Sequence, residues 1–367
     1  VINLVPKRAA ATPLTRVTAQ YLSTGHAGGT FDVGRRFGDG DAVGVRVNGA
    51  YRNGATPIDR QNLGLGFLSL GLDVRGEALR LSLDAGYQHL DLDAESNGLT
   101  VLPGVRIPRA PRLTLNVQQP WERSDIEHGF GVLRAEYDLA PDATLFGAVG
   151  GSLATRDFFR TQSTITDAAG RLQQQIRTVS ADNRQWTGEV GLRARIDTGP
   201  IRHSVAVVAT HYAMDEPFAT ALGPQQIRSA LYAPVLVARP DRPVPRPNVT
   251  TLSELDGLAV TDTASILDRR VELMAGGRFQ AVRRDLALPG GGFSSRYDKS
   301  AATPMTALIV KPWDRLSLYA SYAEGFGFGP NPPGSAVHAG ATFPPVRTSQ
   351  VETGSKLDLE PVGVTLA

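Results

Sequence analysis

Any chemistry in this chain would have to come from its six histidines, an Asp39-Gly40-Asp41 turn and the glycine-rich GFGFGP run at 325–330. Cysteine is absent, which removes disulfides, thiolate metal sites and cysteine nucleophiles. The spacing around His26, His89, His128, His203, His211 and His338 matches no metal-binding motif. His203 and His211 share strand parity, so both are expected to face one solvated interior. Asp39-Gly40-Asp41 lacks the further acidic ligands of a calcium loop and reads as a turn. The GFGFGP glycines fall between a strand and a proline-rich loop rather than at a helix start, so they do not cradle phosphate. No GxSxG elbow, HExxH, P-loop or SxxK is present. No enzyme is expected.

The remaining chemistry is a polar wall. Arg46, Asn48, Asp73, Arg75, Arg80, Asp84, Arg134, Glu136, Glu189, Arg193 and Arg195 all fall on the polar phase of alternating segments. Facing lipid, each arginine would cost roughly 2–4 kcal/mol at mid-depth. A water-filled interior satisfies them, and so does the solvated side of a soluble sheet.

The elements that position this wall read as strands, since period-two alternation recurs and no long window has a helical period. LSLGLDVRGEALRLSLDAGYQHLDLD at 68–93 is the clearest case. Leu68, Leu70, Leu72 and Val74 share one face with Leu79, Leu81, Leu83, Ala85 and Tyr87 across a tight turn. The phase slips from His89 to Leu90 and Leu92, which predicts a β-bulge. Short turns at 36–42, 76–78, 140–143, 198–200, 268–270, 312–315 and 360–362 alternate with longer connections at 53–61, 94–128, 157–184, 215–256, 285–300 and 326–347. Long structureless loops argue against a compact soluble domain, whereas this alternation is normal for an outer-membrane barrel. Tyr137, Phe146, Trp313 and Tyr319 near short turns, with Tyr51, Tyr87 and Tyr212 at opposite ends, are expected to form interfacial girdles. No apolar run is long enough for a spanning helix, which says nothing against spanning strands. A net charge of +2 leaves no nucleic-acid footprint.

VINLVPKRAA at the start resembles the last plug strand of TonB-dependent siderophore receptors. YASYAEGF, from Tyr319 to Phe326, and QVETGSK, from Gln350 to Lys356, resemble consecutive barrel strands of that family, in the family's order. The resemblance implies an all-β fold, a transmembrane antiparallel β-barrel of the 22-stranded kind, here incomplete at about 15 strands. Residues 1–12 would be the C-terminal end of the plug and 13–367 a partial barrel. Single-chain bacterial barrels have even strand numbers, so the chain is expected to be an internal stretch of a receptor about twice as long.

The function so implied is binding and import of a ferric siderophore, of hydroxamate type, in the outer membrane of a Gram-negative bacterium. Energy would come from the TonB-ExbB-ExbD complex through a preceding N-terminal region. Iron would arrive chelated, so neither a cofactor nor a direct metal ligand is expected. Candidate ligand-binding residues are Trp121, Tyr212, Phe218, Tyr232 and Phe326; each could instead be a packing or girdle aromatic. Alternatives are a passive porin-like or adhesin-like barrel without energy coupling, and a soluble β-sandwich.

Overall fold

A computed structural model of the chain describes residues 6–95, 98–289, 292–329, 337, 343–359 and 364–366. The first five residues of the opening VINLVPKRAA stretch therefore lie outside the described residues. One sheet contains β1 (Leu14–Leu22), β2 (His26–Phe37), β3 (Val43–Ala55), β4 (Asn62–Arg75), β5 (Leu79–Asp93), β6 (Thr100–Val101), β7 (Arg123–Ala140) and β8 (Ala143–Ile165). It continues with β9 (Arg171–Thr198), β10 (Ile201–Ala230), β11 (Val249–Ile266), β12 (Val271–Ala287), β13 (Phe293–Trp313), β14 (Leu316–Gly327), β15 (Val346–Leu359) and β16 (Val364–Leu366). The strands follow chain order as an antiparallel meander, except that β6 adds in parallel to β8. The tight turns need special backbone; at the β9–β10 turn Gly199 has φ +63°, which glycine adopts without a Cβ penalty.

Because directly paired residues share a face, register sorts every side chain. Val45, Leu72, Leu83, Leu133 and Val149 form one row across five strands. A neighbouring row, Asp73, Ser82 and Arg134, runs along the opposite face. The apolar face is largely uncovered, with Leu153 at 62% and Val190 at 54% exposure. An antiparallel sheet with one bare apolar face needs an apolar solvent there.

The expected bulge near His89 is absent. β4 and β5 pair without interruption from Leu63–Leu92 to Arg75–Arg80. What changes is the environment. The face that carries Leu79 to Tyr87 continues as His89, Asp91 and Asp93. His89 Nε2 lies 3.1 Å from Asp125, and Arg123 donates to Asp91 and Asp125. An apolar face that turns ionic in constant register marks the edge of the apolar band.

Several strands run far beyond that edge. β8 and β9 continue through most of the predicted 157–184 connection, and β10 extends to Ala230. Residues 98–122 fold back onto this extension and cover the face that lower down holds Leu145, Val149 and Leu153. Val117, Ile165, Leu172 and Leu231 make a small core there, flanked by Leu99, Val101 and Val105. Beside it lies a buried polar plate of Asn116, Gln118, Gln119, Glu122, Thr161, Ser163 and Gln174. Glu122 accepts from Gln119 N at 2.8 Å, Thr161 N at 2.9 Å and Thr161 Oγ1 at 2.6 Å. Gln119 Nε2 donates to Gln174 Oε1 at 3.0 Å, and Gln174 Nε2 to Val117 O at 2.9 Å. Buried polar groups satisfied this fully fix one arrangement of the loop.

Candidate functional site on the polar wall

At the end of the polar face nearest the short turns, an N-terminal segment is tied to the wall. Arg8 makes a two-pronged contact with Asp84, at 2.7 and 2.6 Å, and reaches Leu72 O at 3.3 Å. Arg46, paired with Asp32 at 2.6 Å, donates to Arg8 O at 2.9 Å. Arg36, paired with Asp73 at 2.8 Å, donates to Ala9 O at 3.0 Å. Of the acids and bases read from the sequence as a polar wall, Arg46 and Asp84 thus hold residue 8 directly, and Asp73 pairs with the Arg36 that holds residue 9. Fork-to-fork pairs of this kind give geometric specificity as well as energy.

Farther along the same face, β7 to β10 build a pocket of about 290 Å³. His128, Phe130, Ser152, Gln185, Thr187 and Tyr212 line it. The His128 and Phe130 rings stack at 6.0 Å, and Tyr212 Oη donates to Gln185 Oε1 at 2.8 Å. The lining holds no acid, lysine or arginine and mixes aromatic surface with amide and hydroxyl groups. It can hold a compact neutral ligand by stacking and hydrogen bonds. Beyond it stand Phe218, Phe158 beneath the Arg160 guanidinium at 4.8 Å, and Arg177, which donates to Thr220.

The five aromatic candidates do not converge. Tyr212 and Phe218 share the polar face of β10. Trp121 packs edge-on against Phe159 at 5.3 Å and donates to Val237 O at 2.9 Å. Tyr232 donates to Arg109 O at 2.6 Å. These two join loops 94–122 and 231–248 over the opposite face. Phe326 shares a face of β14 with Leu318, Ala320 and Tyr322, whereas Phe328 crosses to the polar side beneath Arg284 at 4.0 Å. His128, Phe130 and Gln185 were missed by sequence reading; their strand parity with Tyr212 is the signal that could have found them.

A family model described as TonB dependent receptor-like, beta-barrel, matches residues 117–367. The chain belongs to this family. As a TonB-dependent receptor barrel it lies in the outer membrane of a Gram-negative bacterium. It is 36% identical over 386 residues to the ferrichrome receptor FcuA of Yersinia enterocolitica, a match covering 100% of this chain and 50% of that protein. The ferric preacinetobactin receptor BauA of Acinetobacter baumannii superimposes with a TM-score of 0.88 at 30% identity, over 96% of this chain and 53% of that one. The siderophore receptor PiuA of the same organism has the same fold, with a TM-score of 0.83 at 15% identity over 96% and 56%. The chain thus spans about half the length of the relatives it matches.

In a TonB-dependent receptor barrel the polar face lines the lumen and the apolar face meets lipid. Tyr51, Tyr87 and Trp186 then ring one lipid boundary and Phe37, Tyr137 and Trp313 the other, all exposed. Phe146, Tyr319 and Tyr212, expected in the girdles, point to the lumen instead; Phe146 lies under Arg193 at 4.6 Å and Tyr319 bonds Glu352 at 3.0 Å. His203 and His211 also depart from expectation. Their register places them on the lipid-side phase, opposite Ile196 and beside Val190. His203 is held by Asp262 and His211 by Asp256, each at 2.7 Å. His89, Asp125 and Glu127 come within 4.8 Å of one another on the outer side, and Asp125 is also paired with Arg123.

Proposed function

We propose that this chain is the lumen-lining part of an outer-membrane receptor that binds a ferric siderophore of hydroxamate type. Import would be driven by the TonB-ExbB-ExbD complex. The aromatic pocket around Tyr212, lined without acid, lysine or arginine, is the observation that carries this reading. A ferric trihydroxamate is neutral overall, so it is held by stacking and hydrogen bonds rather than by uncompensated arginines. A ferric tris-catecholate is strongly anionic and would call for the latter. Similarity to a ferrichrome receptor along the whole of this chain supports the same assignment.

Tyr212 and Phe218 are assigned as ligand contacts. Trp121 and Tyr232 act at the mouth by fixing the loops around it, and Phe326 flanks the far side. Iron enters as chelated cargo, so the barrel needs no resident metal. Residues 1–12 are read as the end of the plug, supported by the Arg8, Arg36 and Arg46 contacts along the lumen wall. The family is one of receptors, and catalysis plays no part in this function.

Iron-limited cells that depend on the full-length receptor provide the test. Radiolabelled iron should enter as a ferric trihydroxamate, poorly as a tris-catecholate, and not at all when TonB is disabled. Uptake that survives loss of TonB would instead favour a passive barrel.

A further inference from the structure

β5 and β7 are the two stems of one long connection, which β5 enters at Asp93 and β7 leaves at Arg123. Just beyond Tyr87, their outward faces carry a group of side chains that the lumen does not use. His89 on β5 is paired directly with Glu127 on β7, and Asp125 stands two residues from Glu127 on the same face. The ligating atoms of all three lie within 4.8 Å of one another, with His89 Nε2 3.1 Å from Asp125 Oδ1. Each of the three reaches solvent.

The charges around this group are out of balance. Asp91, Asp125 and Asp157 form one directly paired row across β5, β7 and β8, and like charges set opposite each other are destabilising. With Asp93 and Glu127 on the adjoining rows, five acids share a single arginine. That arginine, Arg123, is committed to Asp91, donating to its two oxygens at 2.9 and 2.8 Å. It reaches Asp125 only at 3.3 Å, on the oxygen that His89 leaves free. Glu127 makes no ion pair among the described residues, and Asp157 Oδ1 is buried without a hydrogen-bond partner.

We propose that His89, Asp125 and Glu127 bind a divalent transition metal of the zinc class. One imidazole nitrogen with two carboxylate oxygens suits such an ion, whereas calcium and magnesium take oxygen ligands. In a tetrahedral site with bonds of about 2.0–2.2 Å, ligand atoms stand about 3.3–3.6 Å apart, so side-chain rotation alone closes the site. The metal replaces the proton between His89 Nε2 and Asp125 Oδ1, which passes to water, and a water molecule fills the fourth position. By joining β5 to β7 it clamps the base of the connection between them. Its ligands come from two strands, which is why no motif spacing in the sequence links 89 to 125 and 127. The site is separate from the lumen and from the chelated iron carried there, so the proposal does not depend on which chelate the lumen binds.

Zinc titration of the untagged full-length receptor tests it, after chelator treatment and in detergent free of lipopolysaccharide. Zinc should bind, and crystals soaked in zinc should show an anomalous-scattering peak between His89, Asp125 and Glu127. His89→Ala and Glu127→Gln should each weaken the titrated binding by about tenfold or more, a scale that even outer-shell partners of a metal reach. Both variants should keep the heat-modifiable folded band on gels, and calcium at equal concentration should not displace the zinc. No zinc peak at this position would overturn the proposal, as would binding that His89→Ala leaves unchanged. Displacement of zinc by equal calcium would also overturn it, in favour of an acidic surface that holds any divalent cation.

Discussion

Tyr319 lies across Gly354, its direct partner on the next strand, so closely that a β-carbon on Gly354 would stand 2.7 Å from Tyr319 Cε1. The phenol then reaches Glu352 at 3.0 Å. This contact gives the two recognisable segments, YASYAEGF and QVETGSK, a physical reason: the glycine of one makes room for the tyrosine of the other. Phe130 over Gly86, Phe146 over Gly191 and Phe31 over Gly49 repeat the arrangement, each between directly paired residues. An aromatic ring covering a cross-strand glycine protects backbone that would otherwise be bare. Gly354→Val should therefore destabilise the barrel by about 1–3 kcal/mol through overpacking. Tyr319→Phe should cost only about 1 kcal/mol, for the lost hydrogen bond. Heat-modifiability of the folded band on gels ranks the two.

The Arg8–Asp84 pair anchors the N-terminal segment to the wall. Since this chain has no cysteine, Ala9→Cys introduces its single thiol, at a position only 4% exposed. Asp84→Asn should raise the labelling rate of that thiol by about tenfold or more, as loss of one partner strands the other charge. An unchanged rate would mean that Arg36 and Arg46 hold the segment without help.

Glu122 sets the pH response of the outer loops. Burial pushes its carboxyl above the ordinary range near 4.5, against the donors that stabilise its charge. A raised folded value means the stabilising contribution is full below the unfolded value and is lost as pH rises through the folded one. Loop 94–122 should accordingly become better protected from exchange as pH falls from neutral toward 4.5. Glu122→Gln should abolish that dependence, because an amide does not titrate in this range.

The lumen pocket makes a sharper demand on Tyr212. Tyr212→Ala should weaken binding of a ferric trihydroxamate to the full-length receptor by about tenfold, an aromatic contact being worth roughly 1 kcal/mol or more. Tyr212→Phe should change it only a few-fold. Intrinsic fluorescence titration measures both.

The meander was legible in the sequence wherever one face meets lipid, because Leu68 to Val74 and Leu79 to Tyr87 must alternate there. Past the boundary that signal ends. Thr161-Gln162-Ser163-Thr164 and Gln173-Gln174-Gln175 are polar on both faces, so the pleat persists while the pattern does not. For the same reason polar His89 and ionic Asp91 imitated a bulge. Tyr212 could be found by type and place. Trp121 and Tyr232 could not be assigned a face, since the fold-back of 98–122 depends on contacts across more than a hundred residues.

Ser152 and Leu153 are neighbours on β8, yet one lines the pocket beside Tyr212 and the other faces lipid. Single cysteines at these positions in the full-length receptor test the account most directly, with a water-soluble thiol reagent, a ferric trihydroxamate and brominated lipid. At 152 the account predicts labelling from water that the ferric chelate slows, with no quenching of an attached fluorophore by brominated lipid. At 153 it predicts quenching by brominated lipid and no effect of the chelate. Lipid quenching at 152, or chelate protection at 153, would contradict it.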